Sequence, residues 1–415
     1  MPARLRLSEA YHHLKISHRA LYQLALVVLF WTIFDDIMSY LAPLIMTQRG
    51  LSDSMMGIIY SSSSVAGALF DYVMSRWVKR TTFRRILLVM FALCALYPLL
   101  LWQAKTIWLM VFAMVWWGVY FDLYSYAAFD FVGRYEQEEK HAASFGVLQV
   151  FRALGGILAP LLVGLVVLDR VDFKPFALAW VFLGIGAIFL VLLLLHRQRA
   201  VIHRQLEPRP PRRSFHELAI WRKVGRTLFP VLSLTFFLYV MEAFFWTLAP
   251  LYSEQLKLRT FGGLLLAAYT LPAIFVGWYV GRLTKRWGKK RTAFIALMLG
   301  SGIVALFGVI HTPYLLVGAA FIASCFISLS QPSIEGAYAN YVAETPDAER
   351  EIEALQDFMV NLGYVVGPLI AGFLAQAIRI PAAFSALGVI GVVVALVLLK
   401  FTPRSITVSL PPPIE

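Results

Sequence analysis

Residues 31–44, WTIFDDIMSYLAPL, place Asp35 and Asp36 side by side within the apolar run 20–46. Other charges stand in similar surroundings: Asp122 and Asp130 within 106–132, Arg152 within 143–168, Glu242 within 226–252 and Glu335 within 313–340. A charge at the centre of a bilayer-crossing helix costs roughly 2.5–3.5 kcal/mol on insertion scales, so such groups face a partner or a water-filled cavity. A carboxylate there can take up and release one proton as its surroundings change, and it can bind a cation. Leaving Asp130 aside near its helix end, five acids against one arginine favour a cationic or neutral solute over an anion, which would need a basic clamp.

Polar and aromatic residues recur around these charges at helical spacing. Trp31, Asp35 and Ser39 form one stripe; Tyr239, Glu242 and Trp246 a second; Gly118, Asp122, Ser125, Tyr126 and Phe129 a third; and Ser324, Ser328, Gln331, Glu335 and Tyr338 a fourth. Gln149 and Arg152 are three apart on a fifth segment. Trp31, Tyr126, Tyr239 and Trp246 offer ring faces for a cation or a sugar-like ring. Asp36, about 100° around the helix from Asp35, reads as a group between helices. Asp122 and Arg152, at similar depth on adjacent segments, could be a plain buried ion pair.

The elements that must hold these residues are membrane helices. The chain has 415 residues, 60% of them hydrophobic and only 15% charged, where a soluble domain carries about a quarter charged residues. Mean hydropathy is +0.71. Backbone groups in a bilayer must be satisfied internally, and the alternating ten-residue pattern of a barrel is absent. Hydropathy and turn residues predict an all-α integral membrane fold of twelve spans: 20–46, 54–75, 85–103, 106–132, 143–168, 175–195, 226–252, 262–283, 292–310, 313–340, 355–378 and 381–401. The first is expected to be a retained span, since a cleaved signal would have a shorter apolar core.

The net charge of +13 is mostly topology rather than a nucleic-acid footprint. Basic residues cluster in alternate loops, in SRWVKRTTFRR, in 196–225 and in TKRWGKKR, while the intervening loops are short and nearly neutral. The positive-inside rule then predicts cytoplasmic termini. Cys94 and Cys325 both fall in spans, so neither a disulfide nor a metal site is expected. No cofactor is implied, and the phosphate loop G-x4-G-K-[ST] is missing.

The chain repeats itself. LAPL at 41–44 returns at 248–251, SRWVKRTTF at 75–83 as KRWGKKRTAF at 285–294, and LGGILAPLLVG at 154–164 as LGYVVGPLIAG at 362–372, at offsets of 207, 210 and 208 residues. The expected organisation is a segment 1–19, a six-helix half 20–195, an Arg/Pro-rich linker 196–225, a second half 226–401 and a tail 402–415. Two six-helix halves repeated in parallel are a layout of secondary transporters. The 207-residue offset also matches Asp35 with Glu242, which predicts that the two face each other near the midplane.

These residues resemble the major facilitator superfamily over nearly the whole chain. The superfamily's loop motif is matched by Gly67 and Asp71 followed by Arg76, Lys79 and Arg80, with Val78 in place of a later glycine. The second copy keeps Gly277, Gly288, Lys289, Lys290 and Arg291 but has Gly281 where the acid would stand. Segment 143–168 resembles the superfamily's antiporter motif through Gly146, Gly155, Pro160 and Gly164, departing at Ala159 and Val163; Gly367 and Pro368 repeat it. Glycine and proline there also serve close helix packing. The resemblance implies that spans one, four, seven and ten line a central cavity. It also implies that Asp71, Arg76, Arg80 and Asp130 hold the cytoplasmic side closed, with Gly67, Gly277, Lys289 and Lys290 at the same gates.

The function expected from these readings is alternating-access transport, coupled to protons through Asp35 and Glu242. Efflux of lipophilic or cationic compounds by antiport is favoured. Proton-coupled uptake of a neutral solute such as a sugar is the alternative. The partners are a small solute, protons and lipid, in a monomer of the inner membrane. A membrane-embedded prenyl transferase is a remote rival on the strength of DDIMS, but the usual third acid is replaced by Ser39. A non-transporting receptor of the same fold is the other.

Overall fold

A computed structural model describes residues 2–77, 82–135, 141–167, 171–195, 214–256, 262–344 and 349–401. Side chains are described for these residues except 2–18, 72, 74–77, 134–135, 142, 214–221, 278, 343–344 and 349–350. Arg80 therefore lies outside the described residues, as does the side chain of Arg76. The described residues are helical, without strands. The elements of the first half are α1 (Pro2–Gln48), α2 (Asp53–Trp77), α3 (Phe83–Gln103), α4 (Ile107–Tyr135), α5 (His141–Val166) and α6 (Lys174–Leu195). Then follow α7 (Ser214–Gln255), α8 (Leu264–Thr270), α9 (Pro272–Trp287), α10 (Lys289–Val304), a 3-10 turn (Phe307–Val309), α11 (Pro313–Glu344), α12 (Glu349–Ile378) and α13 (Ile380–Phe401).

Ten of the helices are long and apolar enough to cross a membrane, and α8 with α9 makes an eleventh candidate. The protein is an integral, multi-pass membrane protein. Helix α2 occupies the expected second span but is not among the ten, since four consecutive serines, Ser61–Ser64, dilute its apolar content. The expected span 262–283 is occupied by α8 and α9, which together are long and apolar enough for one broken span. Pro272 has no N–H for an intrahelical bond, so α8 stops at Thr270 and α9 restarts with proline in its first turn.

The chain forms two compact units. The first comprises residues 1–49, 62–207 and 259–263, and the second 50–61, 208–258 and 264–415. Within the first unit, α1 packs on α5 and α6, and α3 on α4 and α6. Within the second, α7 packs on α12 and α13, and α10 on α11 and α13. These are the same neighbours in each copy of the repeat, so the internal homology extends from sequence to packing.

Small residues let the long helices approach. A Cβ on Gly155 would lie 2.8 Å from the Cβ of Thr32, and one on Gly363 would lie 2.6 Å from the Cβ of Tyr239. These are the α1–α5 and α7–α12 seams, and in lipid such close packing is what holds helices together. The chain leaves α1 through Gly50, whose φ of +87° suits glycine. Arg49 then folds onto the end of α3, where its guanidinium donates to the carbonyls of Leu101 (3.1 Å), Trp102 and Ala104. These carbonyls lie at a helix C-terminus, where a cation is well placed.

Candidate substrate and proton site

Helix α1 carries Asp35 within an enclosed stretch, only 2% exposed. Two donors from α4 reach the same carboxylate oxygen: Trp117 Nε1 at 2.9 Å and the Tyr120 hydroxyl at 2.8 Å. Trp117 and Tyr120 are three residues apart and so share a face. Tyr97 of α3 closes the far side, edge-on to Tyr120 at 5.4 Å and stacked with Trp117 at 6.4 Å. Sequence reading missed this pair of donors. The signal was present as WWGVY, but the stripe selected on that segment began one residue later.

That offset reorganises span four. Trp117, Tyr120 and Tyr124 face α1, whereas Gly118, Asp122 and Tyr126 turn to α2. A Cβ on Gly118 would collide with the Ser63 carbonyl, and one on Gly67 with the Asp122 carboxylate. The Tyr126 hydroxyl reaches the backbone carbonyl of Asp71 at 3.5 Å. Asp122 also interacts electrostatically with Asp71. The anticipated Asp122–Arg152 pair is therefore corrected: the two side chains leave α4 and α5 toward different neighbours. Phe129, expected on the wet stripe, is 66% exposed and packs at a tilt on Phe145 at 5.0 Å.

Arg152 serves α1 instead. Its guanidinium lies over the rings of Phe121 (5.3 Å) and Tyr124 (5.5 Å) and interacts electrostatically with both Asp35 and Asp36. Planar, weakly hydrated arginine tolerates such a stacked, enclosed position. Trp31 stacks on Tyr124 at 4.7 Å and is 1% exposed, so it braces the Arg152 platform. Asp36 is partly exposed, and its carboxylate stands 3.2 Å from where a Cβ on Gly156 would be.

The second unit gathers its polar residues around Tyr239 of α7. Gln331 of α11 donates from Nε2 to the Tyr239 hydroxyl at 2.9 Å, and Tyr364 of α12 packs on its ring at 5.3 Å. Glu242, Glu335 and Asp357 all act electrostatically on Tyr239, and Glu242 on Tyr269 of α8 as well. Tyr269 in turn stacks on Phe245 at 4.0 Å. Trp246 is partly exposed on the same helix. Asp357 of α12 thus joins the group.

The residues expected at the gates make helix-end contacts. Asp130, near the end of α4, accepts the N–H of Phe83 at 2.7 Å, supplying a cap to the start of α3 that Thr82 does not provide. Lys289 begins α10 and donates to the Gly336 carbonyl at 2.9 Å and to Asn340 Oδ1 at 2.7 Å on α11. Lys290 lies 5.1 Å over the ring of Tyr341. Gly277 and Gly146 border open space.

The antiporter-like residues pack closely. Gly155 meets α1, and Gly164 and Pro160 meet the backbone at Gly262–Gly263. In the second copy Gly367 meets Ala243, and Pro368 and Gly372 meet Gly57. Among the described residues no group of three or more metal-binding side chains occurs.

A family model described as Major Facilitator Superfamily matches residues 24–350 and, in a second match, 231–413. The quinolone resistance protein NorA of Staphylococcus aureus is 29% identical over 161 residues, 38% of this chain and 41% of NorA. A multi-drug resistance efflux pump PmrA homolog of Lactococcus lactis is 25% identical over 253 residues, 59% of this chain and 60% of that protein. The matched stretches thus span about two fifths and three fifths of these relatives. Among solved structures, a mutant of the nucleoside transporter NupG superposes with a TM-score of 0.73 at 13% identity, covering 92% of this chain and 100% of that one. A bacterial homolog of the human lysosomal transporter Spinster, inward-facing and unoccupied, gives 0.70 at 14% identity, covering 93% and 98%. At such identities the likeness is one of fold.

Proposed function

Because the chain belongs to the Major Facilitator Superfamily and is a transporter rather than an enzyme, we propose that it exports lipophilic, cationic small molecules in exchange for protons, by alternating access. The observation that carries this reading is the α1 site. Asp35 and Asp36 face a single guanidinium, Arg152, inside a wall of Trp31, Phe121, Tyr124 and Trp117. Two carboxylates against one guanidinium leave one negative charge. A proton or a monovalent cation can neutralise it, and the surrounding rings favour a cation with apolar bulk. The printed descriptions of the relatives, quinolone resistance and multi-drug efflux, support the same solute class.

In this reading the Tyr239 group supplies the matching polar site of the second half, through Gln331, Glu242 and Glu335. Asp71 with Arg76 and Arg80 guards the cytoplasmic entrance, both termini lie in the cytoplasm, and the protein works as a monomer in the inner membrane. A thermal-shift titration of the purified protein at two pH values tests the solute class. Tetraphenylphosphonium is expected to stabilise it more at the higher pH, where protons compete less. Stabilisation by a neutral sugar with no response to the cation would favour solute uptake instead.

A further inference from the structure

We propose that Asp36, not its neighbour Asp35, is the group that exchanges the proton, and that Asp35 is a fixed positioning residue which orients the site; this rests on the transport reading above for its purpose but not for its test. The two adjacent carboxylates are built differently. Asp35 is 2% exposed and receives two hydrogen bonds on one oxygen, from Trp117 Nε1 at 2.9 Å and Tyr120 at 2.8 Å. Those donors are themselves wedged by Tyr97. Two buried donors thus converge on one carboxylate oxygen and fix the orientation of the side chain. A proton on that oxygen would have to displace one of the two donors.

Asp36 has the opposite design. It is partly exposed, and its interactions are electrostatic, with Asp35 on its own helix and Arg152 on α5. Gly156 leaves room at its carboxylate, since even a methyl there would come within 3.2 Å of Oδ2. The groups around the pair come from every packed element: Arg152 from α5, Tyr120 and Tyr124 from α4, and Cys94 and Tyr97 from α3 behind Asp35. Helix α6 has no ionisable side chain apart from Lys174 at its start. Arg152 is thus the single described cation near Asp36, and it stays charged at any physiological pH.

The exchange balances simply. With both carboxylates ionised, the pair and Arg152 carry one net negative charge. One proton from water on one side converts Asp36 to the neutral acid and brings the sum to zero. A monovalent cation arriving from the other side displaces that proton and restores the same sum. One carboxylate therefore serves proton and cation in turn, giving one proton per monovalent cation.

The test reads protonation directly, in full-length protein in lipid nanodiscs, by infrared difference spectroscopy across a pH titration. The wild type is expected to gain, on acidification, a protonated-carboxyl band that shifts promptly in heavy water. Asp36→Asn is expected to lose that band, while Asp35→Asn and Asp36→Glu keep one. Persistence of the full band in Asp36→Asn, or its loss in Asp35→Asn with retention in Asp36→Asn, overturns the assignment. Should Asp36→Asn fail to fold, Gly156→Ala retains both acids and presses on Asp36 alone; the band is then expected to move, and an unmoved band contradicts the proposal. Flux that is absent from proteoliposomes while the band behaves as described would sink the transport reading and leave this assignment standing.

Discussion

Tyr120 on α4 donates its hydroxyl to Asp35 on α1 at 2.8 Å, in a place where the acid is 2% exposed. Hydrogen bonds to charged groups contribute about 1.5–3 kcal/mol, and removing one partner in a buried site forfeits most of that. Tyr120→Phe keeps the ring against Tyr97 and Phe34 and deletes only the donor. It should destabilise the protein by about that amount in a denaturant titration. A change of a few tenths of a kcal/mol would mean that the bond is not sustained in the membrane.

Arg152 and Asp36 should behave as a coupled pair. Arg152→Leu alone leaves two carboxylates without their cation, a loss of about 3–5 kcal/mol. Combining it with Asp36→Leu should recover a large part of that loss. Additive losses in the double-mutant cycle would show that the two do not interact. The companion cycle with Asp122→Leu should be additive, because Asp122 is turned to Gly67 and Asp71.

Asp130 offers a choice between a gate and a cap. As a cap on the N–H of Phe83, its replacement by Leu should cost about 1 kcal/mol, and by Asn, which keeps an acceptor, much less. Thermal unfolding of both variants reads the order. A conformational shift in Asp130→Asn, seen as changed cysteine labelling of cavity positions with unchanged stability, would favour the gate instead.

Helix α2 meets α4 through glycine. Because a Cβ on Gly118 would run into the Ser63 carbonyl, Gly118→Ala should separate the two helices and cost about 1–3 kcal/mol through overpacking. Gly146→Ala, which faces open space, should be silent in the same unfolding assay. Equal effects at the two positions would contradict the packing described.

The fold was legible because its strongest signals are long-range and repeated. Apolar runs gave the helices, and LAPL, the basic loops and the Gly–Pro segments gave two copies whose internal packing then agreed. The site was legible in part. The acids of α1, α4, α7 and α11 stood out because apolar surroundings make any charge conspicuous. Which neighbour each acid meets was not, since one residue's rotation on α4 exchanges Trp117 and Tyr120 for Gly118 and Asp122. The unbroken apolar and aromatic run 107–121 blurs that phase. Arg152 was visible as a charge, but its stacking on Phe121 and Tyr124 depends on how α5 crosses α4 and α1, which periodicity within one helix does not contain. The break at Pro272 was readable from proline's missing N–H, yet the hydropathy of 262–283 masked it.

The central claim, exchange of a cation for a proton, is tested most directly in proteoliposomes whose lumen is more acidic than the bath, with ethidium added outside. Entrapped pH dye and ethidium fluorescence are followed together, against protein-free vesicles. The account predicts that ethidium accumulates in the lumen as the lumen loses protons, and that collapsing the pH gradient stops both. Ethidium entry that is unchanged without the gradient and unaccompanied by proton movement would contradict it.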